Sequence, residues 1–122
     1  MGQARPRFGA LQIGIIVLTV ATAVIHFALA FDWLFWANGI GYLALLAGLY
    51  LPLPWLAPWR RAFRWLLIAY AAVTVMLWLL LAPDKSLSTN MGRIGYVDKA
   101  IEIALIVLLW IEDQHAASTQ AP

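Results

Sequence analysis

An acid, an amine and a second acid, Asp98, Lys99 and Glu102, stand inside a long apolar run near the C-terminal end of this chain. Charge at the centre of a membrane helix costs roughly 2.5–3.5 kcal/mol per residue on insertion scales, so it needs partners or a purpose. Lys99 and Glu102, three apart, form an opposite pair on one helix face, whereas Asp98 and Glu102, four apart, are like charges on it. The trio is either a structural knot that neutralises itself and joins helices, or a site for a ligand or a proton. His26 is the histidine inside an apolar run, and both a hydrogen-bonded structural role and a ligand-binding role are open to it.

Other chemistries lack their residues. The chain has no cysteine, which removes disulfides, thiolate metal sites and thiol nucleophiles. Ser86, Ser88 and Thr89 fall in a polar linker, so no nucleophile triad forms around His26. His115 lies at the opposite end of the apolar runs, which leaves a haem without a second histidine from the same chain. His26, Asp98 and Glu102 are metal-ligand types without a recognised spacing, and no glycine-rich loop for phosphate is visible. The expectation is a chain with no catalytic residue, no cofactor and no metal.

The elements that must position these side chains follow from composition. Of 122 residues, 64% are hydrophobic and 11% charged, less than half the charge of a soluble domain. That much apolar surface predicts an integral membrane protein, here the cell membrane of a prokaryote, since arginine outnumbers lysine six to two among abundant Ala, Leu and Trp. A formal charge of +2, concentrated at span boundaries, points away from nucleic acid. Four runs have the length an α-helix needs to cross about 30 Å of hydrocarbon: about 8–30, 33–51, 61–82 and 93–111. The fold class expected is all-α, a single domain over 1–122 built as an antiparallel bundle of four transmembrane helices, with a mobile polar tail over 113–122. Ala28-Leu29-Ala30 resembles a signal cleavage site, but the preceding apolar stretch exceeds the 7–15 residues of a signal core, so the first run reads as a retained span.

Basic residues set the expected orientation. Arg5, Arg7, Arg60, Arg61 and Arg64 outnumber Lys85 and Arg93 in the alternate loops, placing both termini in the cytoplasm. Between the second and third runs, Pro52, Pro54 and Pro58 bar helical continuation, and Trp55 and Trp59 suit the headgroup layer. Phe31, Trp33, Phe35 and Trp36 form the matching belt at the other boundary.

Helical phase gathers the polar residues. Gly95, Asp98, Lys99 and Glu102 share an arc of about 100°, and Gln12, Thr19 and His26 repeat every seven residues with Thr22 beside them. At 1.5 Å per residue, His26, Asn38 and Asp98 lie roughly 7–8 Å below the outer boundary, and Thr74 and Glu102 roughly 12–14 Å. The expected site is a polar pocket opening outward, lined by His26, Asn38, Thr74, Asp98, Lys99 and Glu102, while the inner half offers little beyond Gln12. Gly41, Ala44 and Gly48 read as a close helix-packing surface.

The segments Asn38-Gly39-Ile40-Gly41-Tyr42-Leu43, Arg60-Arg61 and Gly95-Tyr96-Val97-Asp98-Lys99-Ala100-Ile101-Glu102 resemble a group of small four-helix membrane proteins of bacteria and haloarchaea, over roughly residues 20–112. That resemblance implies the fold and carries no known activity. In size and helix count the chain is also similar to the small multidrug-resistance transporters, whose essential glutamate is in the first helix, where this chain has His26 and no acid. The leading functional expectation is a non-enzymatic bundle in the lipid bilayer that associates with other membrane-protein subunits or with itself. The alternative is a proton-coupled binder or transporter of a small solute, using Glu102 and His26.

Overall fold

A computed structural model describes residues 9–29, 33–82 and 85–120, with side chains as far as residue 116. Four α-helices account for most of it: α1 (Ala10–Ala28), α2 (Trp33–Tyr50), α3 (Arg60–Leu81) and α4 (Asn90–Gln120), with a short 3-10 helix over Pro54–Trp59. No strand occurs among the described residues. Arg5, Arg7 and Phe31 lie outside them.

Each boundary has a local cause. At the start of α1 the Gln12 side chain accepts a bond from the Gly9 N–H at 3.0 Å, covering a donor that the first helical turn leaves without a partner. Helix α2 stops at Tyr50, two residues before Pro52, and its last carbonyls are capped by one arginine from the next helix. The Arg60 guanidinium donates to the oxygens of Leu49 at 2.7 Å, Leu51 at 2.6 Å and Gly48 at 3.3 Å. The proline-rich linker is therefore not simply non-helical: Pro54 starts a 3-10 turn where its missing N–H is harmless, and Leu56 of that turn is buried. Helix α3 ends at Leu81, and Ala82 beyond it is extended, the conformation favoured before a proline. Thr89 caps α4 by accepting from the Gly92 N–H at 3.1 Å.

The helices pack as a square, each against its two neighbours in the order α1, α2, α3, α4 and back to α1. Gln12 meets Glu112 while Thr22 meets Asp98, so α1 and α4 run antiparallel. The approach of α2 to α3 relies on glycine: a Cβ at Gly41 would collide with the Tyr70 hydroxyl, and one at Gly48 with the Phe63 ring. Ala44, grouped with them by sequence, is instead exposed. Its phase lies about 60° from that of Gly41, enough to carry it off the contact.

Two differences from the sequence expectation concern α4. The segment read as a tail from Asp113 continues the helix as far as Gln120. Asp113 itself is buried and accepts from Arg64 Nη1 at 2.9 Å, with Arg61 Nε at 3.4 Å, which ties the start of this segment to α3. In addition, among the described residues three stretches are long and apolar enough to cross a membrane by length and composition, Ala10–Ala28, Trp33–Tyr50 and Pro54–Leu81. Helix α4 is not among them, because Asp98, Lys99 and Glu102 interrupt its apolar run.

The radial distribution of polarity is inverted relative to a water-soluble bundle. Glu102 is 0% exposed, whereas Leu81 and Trp33 are each 73% exposed. Ile15, Leu49, Leu67, Leu105 and Leu109 form an apolar centre. On either side of that centre sits a layer of buried polar side chains.

Candidate functional site

Glu102 is the hub of one layer. Its Oε2 accepts from the Tyr42 hydroxyl on α2, and from Thr74 Oγ1 on α3 at 2.8 Å, while its Oε1 accepts from the Lys99 ammonium one turn earlier on α4. Thr74 has a single hydroxyl proton and three acceptors within 2.8 Å, namely Glu102, Tyr42 and the Ala71 carbonyl. The charged acceptor makes the strongest of these bonds. Asp98 completes the α4 arc: its Oδ1 accepts from Thr22 Oγ1 of α1 at 2.5 Å, and its Oδ2 lies 3.1 Å from Lys99 Nζ and 3.9 Å from His26 Nε2. Four helices thus contribute, and among the described residues no buried side-chain nitrogen or oxygen lacks a hydrogen-bond partner.

Above this layer, at the end of the bundle where α1 finishes and α4 begins, lies a cavity of about 470 Å³. Its walls are apolar: Ile25 of α1 and Leu29 just after it, Leu34 and Phe35 of α2, Leu77, Trp78 and Leu81 of α3, and Met91 of α4. Its floor is polar, made by His26, Asn38, Thr74, Asp98 and Lys99. Glu102 does not reach the cavity surface and lies sealed beneath that floor. Gly95 lines the same space because it packs under Trp78, where a Cβ would stand 2.8 Å from the indole nitrogen.

Of the six residues grouped by phase and depth, His26, Thr74, Asp98, Lys99 and Glu102 meet in one network. Asn38 shares the cavity, and its backbone carbonyl accepts from the Tyr70 hydroxyl at 2.8 Å. Sequence reasoning left Tyr42 out. The signal was available, since Tyr42 follows Asn38 by four residues and so stacks one turn deeper on the same face. Thr22 was placed on the right stripe without its partner Asp98.

The opposite half is richer than Gln12 alone, which corrects the sequence reading. Glu112 accepts from Arg64 Nε at 2.9 Å, from the Tyr50 hydroxyl at 2.5 Å and from Gln12 Nε2 at 3.0 Å. This second layer again takes one contributor from every helix. In both layers a tyrosine of α2 reaches diagonally across the bundle to a glutamate of α4, Tyr42 to Glu102 and Tyr50 to Glu112.

His26, Asp98 and Glu102 each offer a ligand atom, all within 4.8 Å of one another, as a metal site requires. The Lys99 ammonium already bridges both carboxylates, however, and occupies the position a cation between them would take. A nucleophile set beside a base is not visible at the floor: Thr22 and Thr74 both donate to carboxylates. No family model, no curated protein and no solved structure matches the chain.

Proposed function

We propose that this chain crosses a membrane four times, with both ends in the cytoplasm, and binds a small amphipathic molecule in the cavity at its outward end. The observation that carries the reading is the cavity's division into apolar walls and a polar floor drawn from all four helices, with Asp98 and Lys99 of α4 in it. A ligand with an apolar body and a polar head satisfies both parts. Leu34, Leu77 and Leu81 line the cavity and are themselves about half exposed or more. A mouth of that kind favours entry from hydrocarbon over entry from water.

Four crossings are supported by the exposed apolar surface and by the inward orientation of the charges on α4. Asp98, Lys99, Glu102, Glu112 and Asp113 are all buried and paired, so the helix presents residues such as Ile103, Val107 and Trp110 outward. Exposed Trp55 and Trp59 at one end and Trp33 and Trp36 at the other are spaced as interfacial belts. A reporter fused after Pro122 should read cytoplasmic, and a reading on the other side refutes the threading.

The binding reading is tested with a long-chain alcohol carrying a diazirine on its chain, in protein held in lipid nanodiscs. Saturable labelling of Phe35, Leu77 and Trp78 is expected. Labelling that never saturates and falls on Val73 and Leu80, on the outer face of α3, refutes it.

A second reading, association with another subunit or a second copy, is favoured by one feature. Ile13, Val17, Val20 and Val24 form an exposed stripe on α1 with the spacing of a helix–helix seam. Cysteines introduced at Val17 or Val20 should then crosslink at native expression level.

A further inference from the structure

Resting on the cavity reading above, we infer that the head group seated on the floor is a cation with N–H donors, a primary or secondary ammonium carried on an apolar body. Three observations converge on this.

The first is the orientation of His26. Its Nδ1 lies 2.8 Å from the Thr22 carbonyl oxygen, which can only accept, so Nδ1 carries a hydrogen. In the neutral ring Nε2 then presents a lone pair, and it faces Asp98 Oδ2 at 3.9 Å. Two acceptors confront each other across a gap too long for a direct hydrogen bond. A proton on Nε2 would remove the opposition without closing the gap. A single nitrogen bearing two hydrogens, about 2.8 Å from each acceptor, serves both.

The second is charge. In the layer around Glu112, Arg64 and Arg61 balance Glu112 and Asp113. In the layer below the cavity, with the neutral His26 ring just described, Lys99 is the one cation paired with Asp98 and Glu102 among the described residues. The lysine and arginine in the connection to α4 and its first turn, Lys85 and Arg93, donate to the carbonyls of Ala82 and Leu87. A cationic guest brings the layer to neutrality, and an anionic guest doubles its imbalance. Asp98 faces the cavity while Glu102 is sealed off, so Asp98 is the carboxylate within reach.

The third is the wall. Phe35 and Trp78 flank the floor, and the Trp78 ring already holds the Lys85 ammonium at 5.9 Å. Aromatic faces next to a desolvated carboxylate favour cations and do nothing for anions.

Competition against the diazirine alcohol separates this inference from the reading beneath it. The competitors are decylamine, decyltrimethylammonium, decanol and decanoate, compared at equal mole fraction in the bilayer. Decylamine is expected to displace the label at a mole fraction tenfold or more below that of decanol, the gain of one charge-assisted hydrogen bond. Decyltrimethylammonium, cationic but without N–H donors, should compete distinctly less well than decylamine, and decanoate worst. Equal potency of the two cations overturns the bridging donor, and stronger competition by decanoate overturns the cation altogether; both leave the cavity reading standing. No competition by any of the four defeats the cavity reading instead. In Asp98→Asn the preference for decylamine over decanol should fall about tenfold, and an unchanged ratio overturns the role of Asp98. The wild-type series is decisive even where that variant does not fold.

Discussion

Removing the lysine should harm this bundle more than removing the glutamate it serves. Asp98, Lys99 and Glu102 are 4%, 8% and 0% exposed, so none of them has bulk water to fall back on. In Lys99→Met the two carboxylates stay, with ligand-facing oxygens within 4.8 Å of each other and no cation between them. At an effective dielectric of about 20, that separation corresponds to roughly 3.5 kcal/mol of repulsion. The figure agrees with the ~3–5 kcal/mol typical of breaking a buried ion pair. In Glu102→Gln the layer instead becomes neutral, Asp98 against Lys99, and Tyr42 and Thr74 can still donate to the amide oxygen. That substitution weakens hydrogen bonds without stranding a charge and should cost about 1–3 kcal/mol. The double variant Lys99→Met/Glu102→Gln removes the repulsion and should be about 2–3 kcal/mol more stable than Lys99→Met alone. Equilibrium unfolding by sodium dodecyl sulfate in mixed lipid micelles, followed by far-ultraviolet circular dichroism, measures all three. The reasoning fails if Glu102→Gln costs as much as Lys99→Met, or if the double variant is no better than Lys99→Met.

Three further outcomes are expected. Gly48→Ala, which drives a methyl group into the Phe63 ring, should cost about 1–3 kcal/mol, whereas Ala44→Val on the exposed side should stay within about 0.5 kcal/mol. In the other layer Arg64→Met strands Glu112 and should cost about 3–5 kcal/mol in the same unfolding assay, while the exposed Arg61 should contribute under about 1 kcal/mol. Thr89→Ala should destabilise by about 1 kcal/mol and release the Gly92 amide to hydrogen exchange; continued protection there would show that the cap bond is not what holds the turn.

The helices were legible because their ends carry prolines, aromatic residues and basic residues, and the floor of the cavity because Asp98, Lys99 and Glu102 interrupt a run that otherwise repels charge. Tyr42 was hidden by chemistry: a tyrosine in an apolar helix reads as packing until its hydroxyl is given a partner. Glu112 and Asp113 were hidden by position, since acids at the end of an apolar run resemble the start of a solvated tail. Yet they follow Asp98 and Lys99 by 14 residues, four helical turns, and so return to the same face. Arg64 illustrates a limit of counting charges in loops, because an arginine counted there as a loop charge is the buried partner of two acids.

The four-way polar layers also bear on how the chain is made. In the proposed four-pass arrangement, α1, α2 and α3 can each leave the insertion machinery on hydrophobicity alone. Helix α4, carrying five ionisable side chains along its buried face, would be a poor substrate for a bilayer met by itself. It is also synthesised after the other three. By then Thr22, Tyr42, Thr74 and Arg64 are already in place as donors, and the unfinished three-helix bundle presents a vertical seam of polar groups matched in spacing to the acids still to come. Insertion of α4 is thereby a docking reaction templated by its predecessors, and a truncated chain ending near Thr89 should linger as an open, association-prone intermediate that a separately expressed α4 can close.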